Sequence, residues 1–351
     1  MRNINVGIIG YGLSGRIFHG AIIKYVEGFS VKKISSRSPE KIQSAKEDFP
    51  DAEVVSSFED ITQDPNIDLV IVSTPNIHHF PIAENALKNN KHVIIEKPFT
   101  VTSIEGKLLT KLAIEKQLLI SVYQNRRFDS DLLTVKEIIQ SNVLGDIVEF
   151  ESHFDRFRNE IKKNSWREEN TPGSGVLFDL GSHLIDQALY LFGIPEEIYC
   201  DISHQRNGKV DDNFELIMYY ESLKVTLKAS SLVKEPLPRF IISGSKGSFQ
   251  KYGLDIQESD LRSGKRPTYP EWGKEPEELW GVLNTIESRK VYESIPGNYR
   301  LYYENVHDAI SKGSELIVKA VEAMNVIWII EKAILSNLEK RRISCYDMKN
   351  L

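Results

Sequence analysis

The chain has few cysteines and no long apolar run. Cys200 and Cys345 are its only two cysteines, and they lie far apart without C-x-x-C or metal-ligand spacing. Neither a disulfide scaffold nor a zinc ribbon is therefore supported, and a reducing cytoplasm is the expected location. The longest apolar runs, such as VIWII at 326–330, are far shorter than the ~18 residues of a membrane helix. We expect a protein that is neither exported nor membrane-spanning.

A surplus of basic residues is also missing. The chain carries 44 Lys and Arg against 50 Asp and Glu, a formal net charge of −6, which argues against nucleic acid as a partner. Its 41% hydrophobic and 27% charged residues are ordinary for a globular protein, and no internal repeat is visible. A length of 351 residues predicts two domains.

The first part of the chain alternates between two periodicities. Short runs rich in Val and Ile are separated by longer segments of helical character; the runs are INVGIIG, SVKKIS, DLVIVS, HVIIE and LLISVY. Strand, helix and strand at this spacing indicate βαβ units around a parallel sheet, whose central strands are buried on both faces. We predict that residues 1–125 form a Rossmann dinucleotide-binding domain.

From residue 126 the pattern changes. Strand-like runs joined by short turns predict a large, mostly antiparallel sheet; they are DIVEFESHFD, NFELIMYY, LKVTLKASSLV and RFIISGSKGSFQK. Helices are expected at about 128–141, 179–192 and 315–338. Residues 126–351 are therefore predicted to form an α+β domain with one sheet face left for a partner subunit, and the fold class of the chain is α/β.

Three glycines follow the first predicted strand directly. Gly10, Gly12 and Gly15 have G-x-G-x-x-G spacing and open a predicted helix. In that context the first glycine permits a tight turn, the second lets the backbone approach a pyrophosphate, and the third allows close helix packing. The motif predicts a dinucleotide site; the alternative is a glycine-rich turn without a ligand.

The second strand ends in ISSRSPEK, where an NAD-specific domain would carry Asp or Glu to hold the ribose 2′-hydroxyl. Ser35, Ser36, Arg37 and Ser38 occupy this stretch instead. A guanidinium offers a 2′-phosphate a bidentate, charge-assisted contact, and the serines donate hydrogen bonds. The stretch favours NADP(H); alternatively, Arg37 is a solvated loop charge.

A lysine follows another apolar strand. Lys97 stands directly after the run HVIIE and before Pro98, at the sheet edge where open α/β sheets bind ligands. Its ammonium is suited to stabilise an alkoxide that develops during hydride transfer. Glu96 is a candidate structural partner, and a snorkelling surface lysine is the alternative reading.

Polar residues also gather on one predicted helix of the second domain. Asp179, His183 and Asp186 are spaced i, i+4, i+7 within an otherwise apolar stretch. The ordinary pKa of an imidazole, near ~6.5, suits His183 to act as a general base, with Asp179 orienting it. Asp179 as a helix cap and the pair as part of a metal site are the alternatives, but no third ligand stands at recognisable spacing and no metal is predicted.

Several motifs in order resemble the glucose–fructose oxidoreductase/inositol dehydrogenase (Gfo/Idh/MocA) family of NAD(P)-dependent enzymes. They are GYGLSG, TPNIHH, EKP, WRE and GSGVLFDLGSHLID, and together they span essentially the whole chain. The runs SVYQNRRFDSD, ESHFDRFR and PGNYRLYY resemble the branch that contains NADP-dependent scyllo-inositol dehydrogenase.

This resemblance implies site residues by position. The implied catalytic set is Lys97, Asp179 and His183. The implied cofactor-binding residues are Gly10, Tyr11, Gly12, Leu13, Gly15, Ser36, Arg37, Thr74, Asn76, His79, Glu96, Lys97, Asn125, Trp166 and Arg167. Candidates for substrate binding are Lys97, Tyr123, Arg127, Asp155 and His183. The family fold also implies a homodimer or homotetramer formed through the sheet of the second domain.

The expected function is the NADP-dependent oxidation of a secondary alcohol on a cyclic polyol or sugar, with scyllo-inositol favoured. Lys97 and His183 would hold the reacting hydroxyl, and His183 would remove its proton. Two alternatives stay open: a reductase of another sugar or keto-sugar on the same fold, and a non-catalytic NADP-binding sensor.

Overall fold

The computed structural model describes residues 3–162 and 168–347, so the predicted cofactor contacts Trp166 and Arg167 lie outside the described residues. The chain forms two compact units. The first comprises Met1–Phe128, Gln257–Trp272 and Asn298–Met324, and the second comprises Asp129–Ile256, Gly273–Gly297 and Asn325–Leu351. The two units are not consecutive ranges of the sequence, because two later segments, Gln257–Trp272 and Asn298–Met324, belong to the first unit.

The first unit contains a six-stranded parallel sheet with strand order β3-β2-β1-β4-β5-β6. This order is that of a Rossmann fold, which confirms the predicted class. The strands are β1 Ile4–Ile9, β2 Phe29–Ser35, β3 Glu53–Val55, β4 Leu69–Val72, β5 His92–Ile95 and β6 Ile120–Val122. The helices between them are α1 Ala21–Ile23, α2 Pro39–Asp48, α3 Glu59–Thr62, α4 His79–Lys88 and α5 Ser103–Glu115. A π-helical segment, Ser14–Gly20, leads directly into α1.

The central strands are apolar on both faces because helices cover both. All four residues of β4 are fully buried. The two returning segments complete this core with aromatic side chains: Tyr299, Tyr302 and Tyr303 belong to the same buried cluster as Ile8 and Tyr123 of the sheet. The sequence around these tyrosines shows no strand periodicity, and their helix was not predicted.

The second unit contains a nine-stranded sheet with strand order β14-β13-β12-β11-β7-β10-β9-β8-β15. It is mostly antiparallel, as predicted, with β7 and β10 as a parallel pair. Its strands are β7 Ile147–His153, β8 Glu197–Ser203, β9 Asn213–Tyr219, β10 Lys224–Ser230, β11 Phe240–Gly244, β12 Gly247–Lys251, β13 Gly281–Thr285, β14 Arg289–Tyr292 and β15 Ile343–Ser344. The remaining helices of the chain are α6 Ser130–Gln140, α7 Ser182–Phe192, α8 Gln257–Arg262, α9 Arg300–Lys312 and α10 Ala320–Glu339, of which α8 and α9 fall in the first unit.

The two faces of this larger sheet differ. Along β9, alternate residues from Phe214 to Met218 are buried, whereas those between them are partly exposed. The partly exposed face carries cross-strand ion pairs, with Lys224 2.5 Å from Glu149 and Lys228 3.1 Å from Glu215. One face therefore builds the core and the other meets solvent. None of the helices in the described ranges is long and apolar enough to span a membrane.

Candidate active site

The glycine-rich turn lies at the carboxyl end of β1. The amide of Gly10 donates to the carbonyl of Ser35 at 3.1 Å, so the turn is joined to the end of β2. The amide of Arg16 donates to the Gly12 carbonyl at 3.0 Å and starts the helical segment. The N-terminal amides of such a segment are the usual binding groups for a pyrophosphate.

Two of the three glycines are required by close backbone approach. Gly10 has φ +92°, and a Cβ there would lie 2.3 Å from the carbonyl oxygen of Ser73. A Cβ at Gly15 would lie 2.1 Å from the carbonyl oxygen of Gly10. At Gly12 the same construction meets only the ammonium of Lys41, 3.9 Å away. Backbone atoms therefore pack closely against Gly10 and Gly15, whereas the space beside Gly12 is open. A phosphate could approach the backbone there.

Buried polar atoms without partners lie at the neighbouring strand ends. The hydroxyl oxygens of Ser73 and Thr74, which follow β4, have no hydrogen-bond partner within the described part of the chain. The same holds for the side-chain oxygen of Gln124, which follows β6. Orphaned buried polar atoms are uncommon and are often satisfied by a ligand or water. Together with the glycine turn, they fit a polar cofactor such as a dinucleotide.

Positive charge lies beside this turn. Arg37 follows β2 and is exposed, and across residues 3–162 and 168–347 no side chain forms an ion pair or hydrogen bond with it. Lys41, on the first turns of α2, brings its ammonium to the open side of Gly12. Sequence reasoning missed Lys41, although its spacing of four residues from Arg37 places both near one end of α2.

The predicted catalytic lysine follows β5. Lys97 is half-buried, and its backbone N–H donates to the Glu96 carboxylate at 2.9 Å. Glu96 also accepts hydrogen bonds from the Ser14 hydroxyl and from His19, whose Nε2 lies 3.1 Å away. Burial raises the pKa of Glu96, but the hydrogen bond and charge of His19, the charge of Lys97 and the hydrogen bond from Ser14 outweigh burial and hold that pKa below its usual range. Glu96 is therefore a buried carboxylate that joins the glycine turn to Lys97.

Several predicted cofactor and substrate contacts are buried within the first unit. The ring nitrogens of His79 lie 2.9 Å from the carbonyl oxygens of Thr74 and Pro98, and burial lowers the pKa of His79. The Tyr11 hydroxyl donates to Asp48 at 2.9 Å, so that its side chain points into the core and only its backbone borders the turn. His79 thus supports the loops after β4 and β5.

Two predicted substrate contacts are also engaged inside this unit. The Tyr123 hydroxyl donates to the carbonyl of Phe18 at 2.9 Å. The Arg127 guanidinium donates to Glu322 at 2.7 Å and to the carbonyl of Ile317 at 3.0 Å. Both side chains are at least 97% buried. Tyr123 thereby joins the end of β6 to the π-helical segment Ser14–Gly20, and Arg127 joins the region after β6 to a returning segment, so their bonds here serve the fold.

Other predicted residues of the first unit differ in exposure. Asn76 and Asn125 are buried, Ser36 is half-buried and Leu13 is 52% exposed. Leu13 and Ile77 are apolar side chains that protrude beside the glycine turn and after β4, respectively. Exposed apolar groups at such positions are suited to contact a nucleotide base or ring.

In the second unit, Asp179 and His183 lie on one continuous helix. Its first residues, Leu177–Gly181, form a π-helical segment that leads into α7. Asp179 is part of that segment, half-exposed, and its Oδ2 lies 3.9 Å from a guanidinium nitrogen of Arg156. His183 is 5% exposed and stacks on Phe154, with ring centroids 6.4 Å apart and planes at 28°. π-helical turns of this kind are frequent at functional sites.

The start of this helix is fixed by a buried acid. The amide of Leu177 donates to the Asp211 carboxylate at 2.7 Å, and burial raises the pKa of Asp211. Gly175 has φ +92°, and a Cβ there would lie 1.9 Å from Asp211 Oδ1. Glycine at this position is therefore what allows Asp211 to reach the helix and place Asp179 and His183.

A substitution at Gly175 tests this arrangement. Gly175→Ala is expected to lower the free energy of unfolding by about 2–5 kcal/mol, since it adds backbone strain to a steric clash. Gly313→Ala is the matched control, because Gly313 has φ +73° but open space around its Cβ; it should cost only about 1–2 kcal/mol. Urea unfolding at equilibrium measures both, and equal losses would contradict the close approach to Asp211.

A buried arginine, Arg239, contacts α7 and the aromatic ring beside His183. Arg239 pairs with Asp131 at 3.2 Å and donates to the side-chain oxygen of Gln187 at 2.7 Å, one turn beyond His183. Its guanidinium also lies 5.4 Å from the centre of the Phe154 ring, against which His183 stacks. Arg239 therefore fixes both the helix and the aromatic surface beside the imidazole.

Asp155, a predicted substrate contact, is held by two neighbours. One carboxylate oxygen accepts the Ser230 amide at 2.9 Å, and the other lies 3.2 Å from Nδ1 of His153. Glu151 lies 3.3 Å from the other ring nitrogen of His153. Across the described residues, no group of three or more His, Cys, Asp or Glu side chains has an arrangement that could hold a metal ion.

Comparison with known families matches both parts of the chain. Residues 4–124 match the model of the oxidoreductase family's NAD-binding Rossmann fold, and residues 136–345 match the C-terminal alpha/beta domain of the same family, GFO_IDH_MocA. The chain belongs to the Gfo/Idh/MocA oxidoreductase family. It is an oxidoreductase whose first part is a nicotinamide-dinucleotide domain, as its motifs indicate.

Relatives within the family are similar over nearly their whole length. scyllo-Inositol 2-dehydrogenase (NADP(+)) IolW of Bacillus subtilis (strain 168) is 44% identical, covering 97% of this chain and 95% of the relative. The uncharacterized oxidoreductase YdgJ of Escherichia coli (strain K12) is 41% identical, covering 95% and 96%. A solved structure of yvaA from Bacillus subtilis superposes with a TM-score of 0.94 at 42% identity, covering 98% of both chains.

Proposed function

We propose that this protein is an NADP-dependent dehydrogenase that acts on a secondary alcohol of a cyclic polyol or sugar, with scyllo-inositol as the favoured substrate. The observation that carries the proposal is the position of Lys97, half-buried after β5 beside the glycine turn and the orphaned hydroxyls of Ser73 and Thr74. An ammonium there is suited to bind a polyol oxygen next to a nicotinamide. The similarity to IolW supports the substrate class.

The cofactor preference rests on Arg37 and Lys41. An NAD-specific domain would hold the ribose 2′-hydroxyl with a carboxylate near the end of β2, and a carboxylate there would repel a 2′-phosphate. This chain offers instead the exposed guanidinium of Arg37 after β2 and the ammonium of Lys41 on the open side of the turn. Arg37, Lys41 and Ser36 would hold the 2′-phosphate, and the turn at Gly10, Gly12 and Gly15 the pyrophosphate.

The cofactor preference is tested by binding. Arg37→Ala is expected to weaken NADPH binding by about 10- to 100-fold, because a charge-assisted hydrogen bond is lost, and to leave NADH binding unchanged. Lys41→Ala should weaken NADPH binding by at most about fivefold, as an exposed ion pair does. Fluorescence titration with each nucleotide gives the dissociation constants.

The control is Lys46→Ala, which removes a charge from the exposed end of the same helix α2. It should bind both nucleotides like the wild type. An equal loss of NADPH and NADH affinity in Arg37→Ala would show that Arg37 does not read the 2′-phosphate.

Lys97, His183 and Asp179 have different roles in the proposed reaction. Lys97 donates a hydrogen bond to the reacting oxygen and stabilises the negative charge that develops on it. His183 accepts the hydroxyl proton, and Asp179 keeps the imidazole in position. A bound NADP⁺ would supply the hydride acceptor for the carbinol carbon, so that the alcohol and NADP⁺ would give a ketone, NADPH and the proton accepted by His183.

A turnover assay tests the proposed function. The purified protein is supplied with a panel of inositols and sugars and with NADP⁺ or NAD⁺, and formation of the reduced nucleotide is followed by absorbance. We expect turnover of a cyclic polyol with NADP⁺. Turnover of a different sugar alone would favour the other substrate class, and tight NADP⁺ binding with no turnover would favour a sensor.

The assembly is also a proposal. The partly exposed face of the nine-stranded sheet presents Ile217 and Tyr219 of β9 among ion pairs that join β10 to β7 and β9. The apolar side chains on this face support a homo-oligomer contact. We place a homodimer or homotetramer contact there, the NADP-binding role in residues 1–125 and the substrate-binding role in residues 126–351. The two free, buried cysteines suit a cytoplasmic location.

A further inference from the structure

His19 is a buried histidine that the proposed reaction does not use. It lies on the π-helical segment after the glycine turn and is fully buried. One ring nitrogen, Nδ1, lies 2.5 Å from the Tyr303 hydroxyl, and the other, Nε2, lies 3.1 Å from the Glu96 carboxylate. Its ring also packs on Tyr123, with centroids 4.4 Å apart. A fully buried imidazole with two short polar contacts is held in one orientation.

The carboxylate partner fixes the direction of one of these hydrogen bonds. Burial raises the pKa of Tyr303 well above its usual value, so its phenol keeps its proton and forms a neutral hydrogen bond with Nδ1. Glu96 is ionised and accepts only. His19 satisfies both contacts when Nε2 carries a proton, since Nε2–H then donates to Glu96 while Nδ1 meets the Tyr303 hydroxyl.

The chain of hydrogen bonds ends at Lys97. Glu96 gathers three donors, which are the Ser14 hydroxyl, His19 Nε2–H and the backbone N–H of Lys97. Two of these donors come from the π-helical segment and one from the residue proposed to bind the reacting oxygen. If His19 cannot donate, the buried carboxylate keeps only two of these three contacts, and its position relative to Lys97 is less tightly fixed.

We propose that Tyr303 and His19 are positioning residues, which act through Glu96 to hold Lys97 in its productive orientation. The inference rests on the proposed catalytic role of Lys97. It assigns a function to a residue of the returning segment 298–324, which lies more than 200 residues beyond Lys97 in the sequence. Positioning groups of this kind affect the reaction more than they affect cofactor binding.

Four variants test the proposal by kinetics. His19→Leu, which cannot donate, is expected to lower kcat by about 10- to 100-fold with unchanged NADPH affinity. His19→Gln retains an N–H at the position of Nε2 and should restore kcat to within about threefold of the wild type. Tyr303→Phe should lower kcat by about fivefold, the effect of one lost hydrogen bond. Tyr302→Phe is the control.

Tyr302 is a matched control because it is the adjacent tyrosine, is equally buried, and donates its hydroxyl to Ser121 at 3.0 Å instead. Its replacement makes the same chemical change in the same aromatic cluster, so kcat should be unchanged. Equal losses of kcat in the two tyrosine variants, or in His19→Leu and His19→Gln, would show that these side chains only pack the core. Either result would overturn the proposal.

An NMR measurement separates this inference from the proposed reaction. With ¹⁵N-labelled histidine, His19 should show a proton on Nε2, and its Nδ1 signal should move in Tyr303→Phe but not in Tyr302→Phe. Reductive methylation with ¹³C-formaldehyde labels Lys97, which is assigned by its loss in Lys97→Arg. The Lys97 signal should shift in His19→Leu and return in His19→Gln. An unshifted signal in His19→Leu would overturn the inference, even in a protein that turns over no polyol.

Discussion

Lys97→Met is expected to lower kcat for polyol oxidation by about 10²–10³-fold, the range observed when one preorganised donor to a developing oxyanion is removed. Methionine keeps most of the length of the lysine side chain and removes only its charge and its donors. Cofactor affinity should stay close to that of the wild type, because the phosphates are held at the glycine turn and at Arg37. Steady-state kinetics at saturating NADP⁺ and a fluorescence titration with NADPH measure the two effects separately.

The control for this substitution is Lys88→Met. Lys88 is exposed at the end of α4, where its ammonium pairs with the Glu84 carboxylate at 2.9 Å. It should oxidise the polyol at the wild-type rate. A Lys97→Met protein with kcat within threefold of the wild type would remove Lys97 from the reaction.

His183→Ala is the second large effect that we expect. Loss of a general base should lower kcat by about 10²–10⁴-fold. Because the cavity left by the missing ring can admit a small base, added imidazole should restore part of the activity. Asp179→Asn should cost less, since it keeps the shape of the orienting group and removes its charge. Each variant's pH–rate profile is compared with that of the wild type. The comparison shows whether the decrease in kcat at acidic pH disappears when the imidazole is removed.

His204→Ala serves as the comparison, because His204 is exposed on the loop after β8. It should retain full activity and an unchanged pH–rate profile. If His183→Ala keeps wild-type turnover and binds NADPH normally, another group must remove the proton, and the assignment fails.

The sequence alone was sufficient to predict secondary structure where a segment had one clear periodicity. The apolar runs around Ile8, Val70 and Ile94 predicted the parallel sheet, because strands buried on both faces cannot carry polar residues. The glycine spacing predicted the turn after β1, since only glycine tolerates the approach seen at Gly10 and Gly15. β3 and α9 were missed. A three-residue strand has little periodic signal, whereas α9 does carry helical spacing, with Tyr302, Tyr303 and Val306 buried on one face, and the sequence analysis overlooked it.

The candidate site was predictable only in part, because residue type does not reveal which partner a polar group finds. From the sequence alone, Arg37 and Arg127 are equally good candidates for binding an anion. In the structure Arg37 is exposed, whereas Arg127 is buried against Glu322. The sequence spacing between Arg127 and Glu322 is nearly 200 residues, and no local pattern carries that information.

The same limit applies to the residues that support the site. Asp211 caps the helix of Asp179, and Arg239 holds its far side through Gln187. Both are single charged residues in ordinary surroundings along the chain, and they become recognisable only as buried charges with protein partners. The glycine at position 175 was the one available signal, and its cause is a contact with a residue 36 positions later.

The return of residues 298–324 to the first unit has a consequence for biosynthesis. The buried cluster around Tyr302, Tyr303 and Val318 lacks a large part of its apolar surface until that segment has been translated. Most of the chain has therefore left the ribosome before the nucleotide-binding half can close its core. During that interval the apolar side chains of its central strands lack part of their cover. A gene fragment ending near codon 125 would encode the binding motif without the aromatic residues that complete its interior.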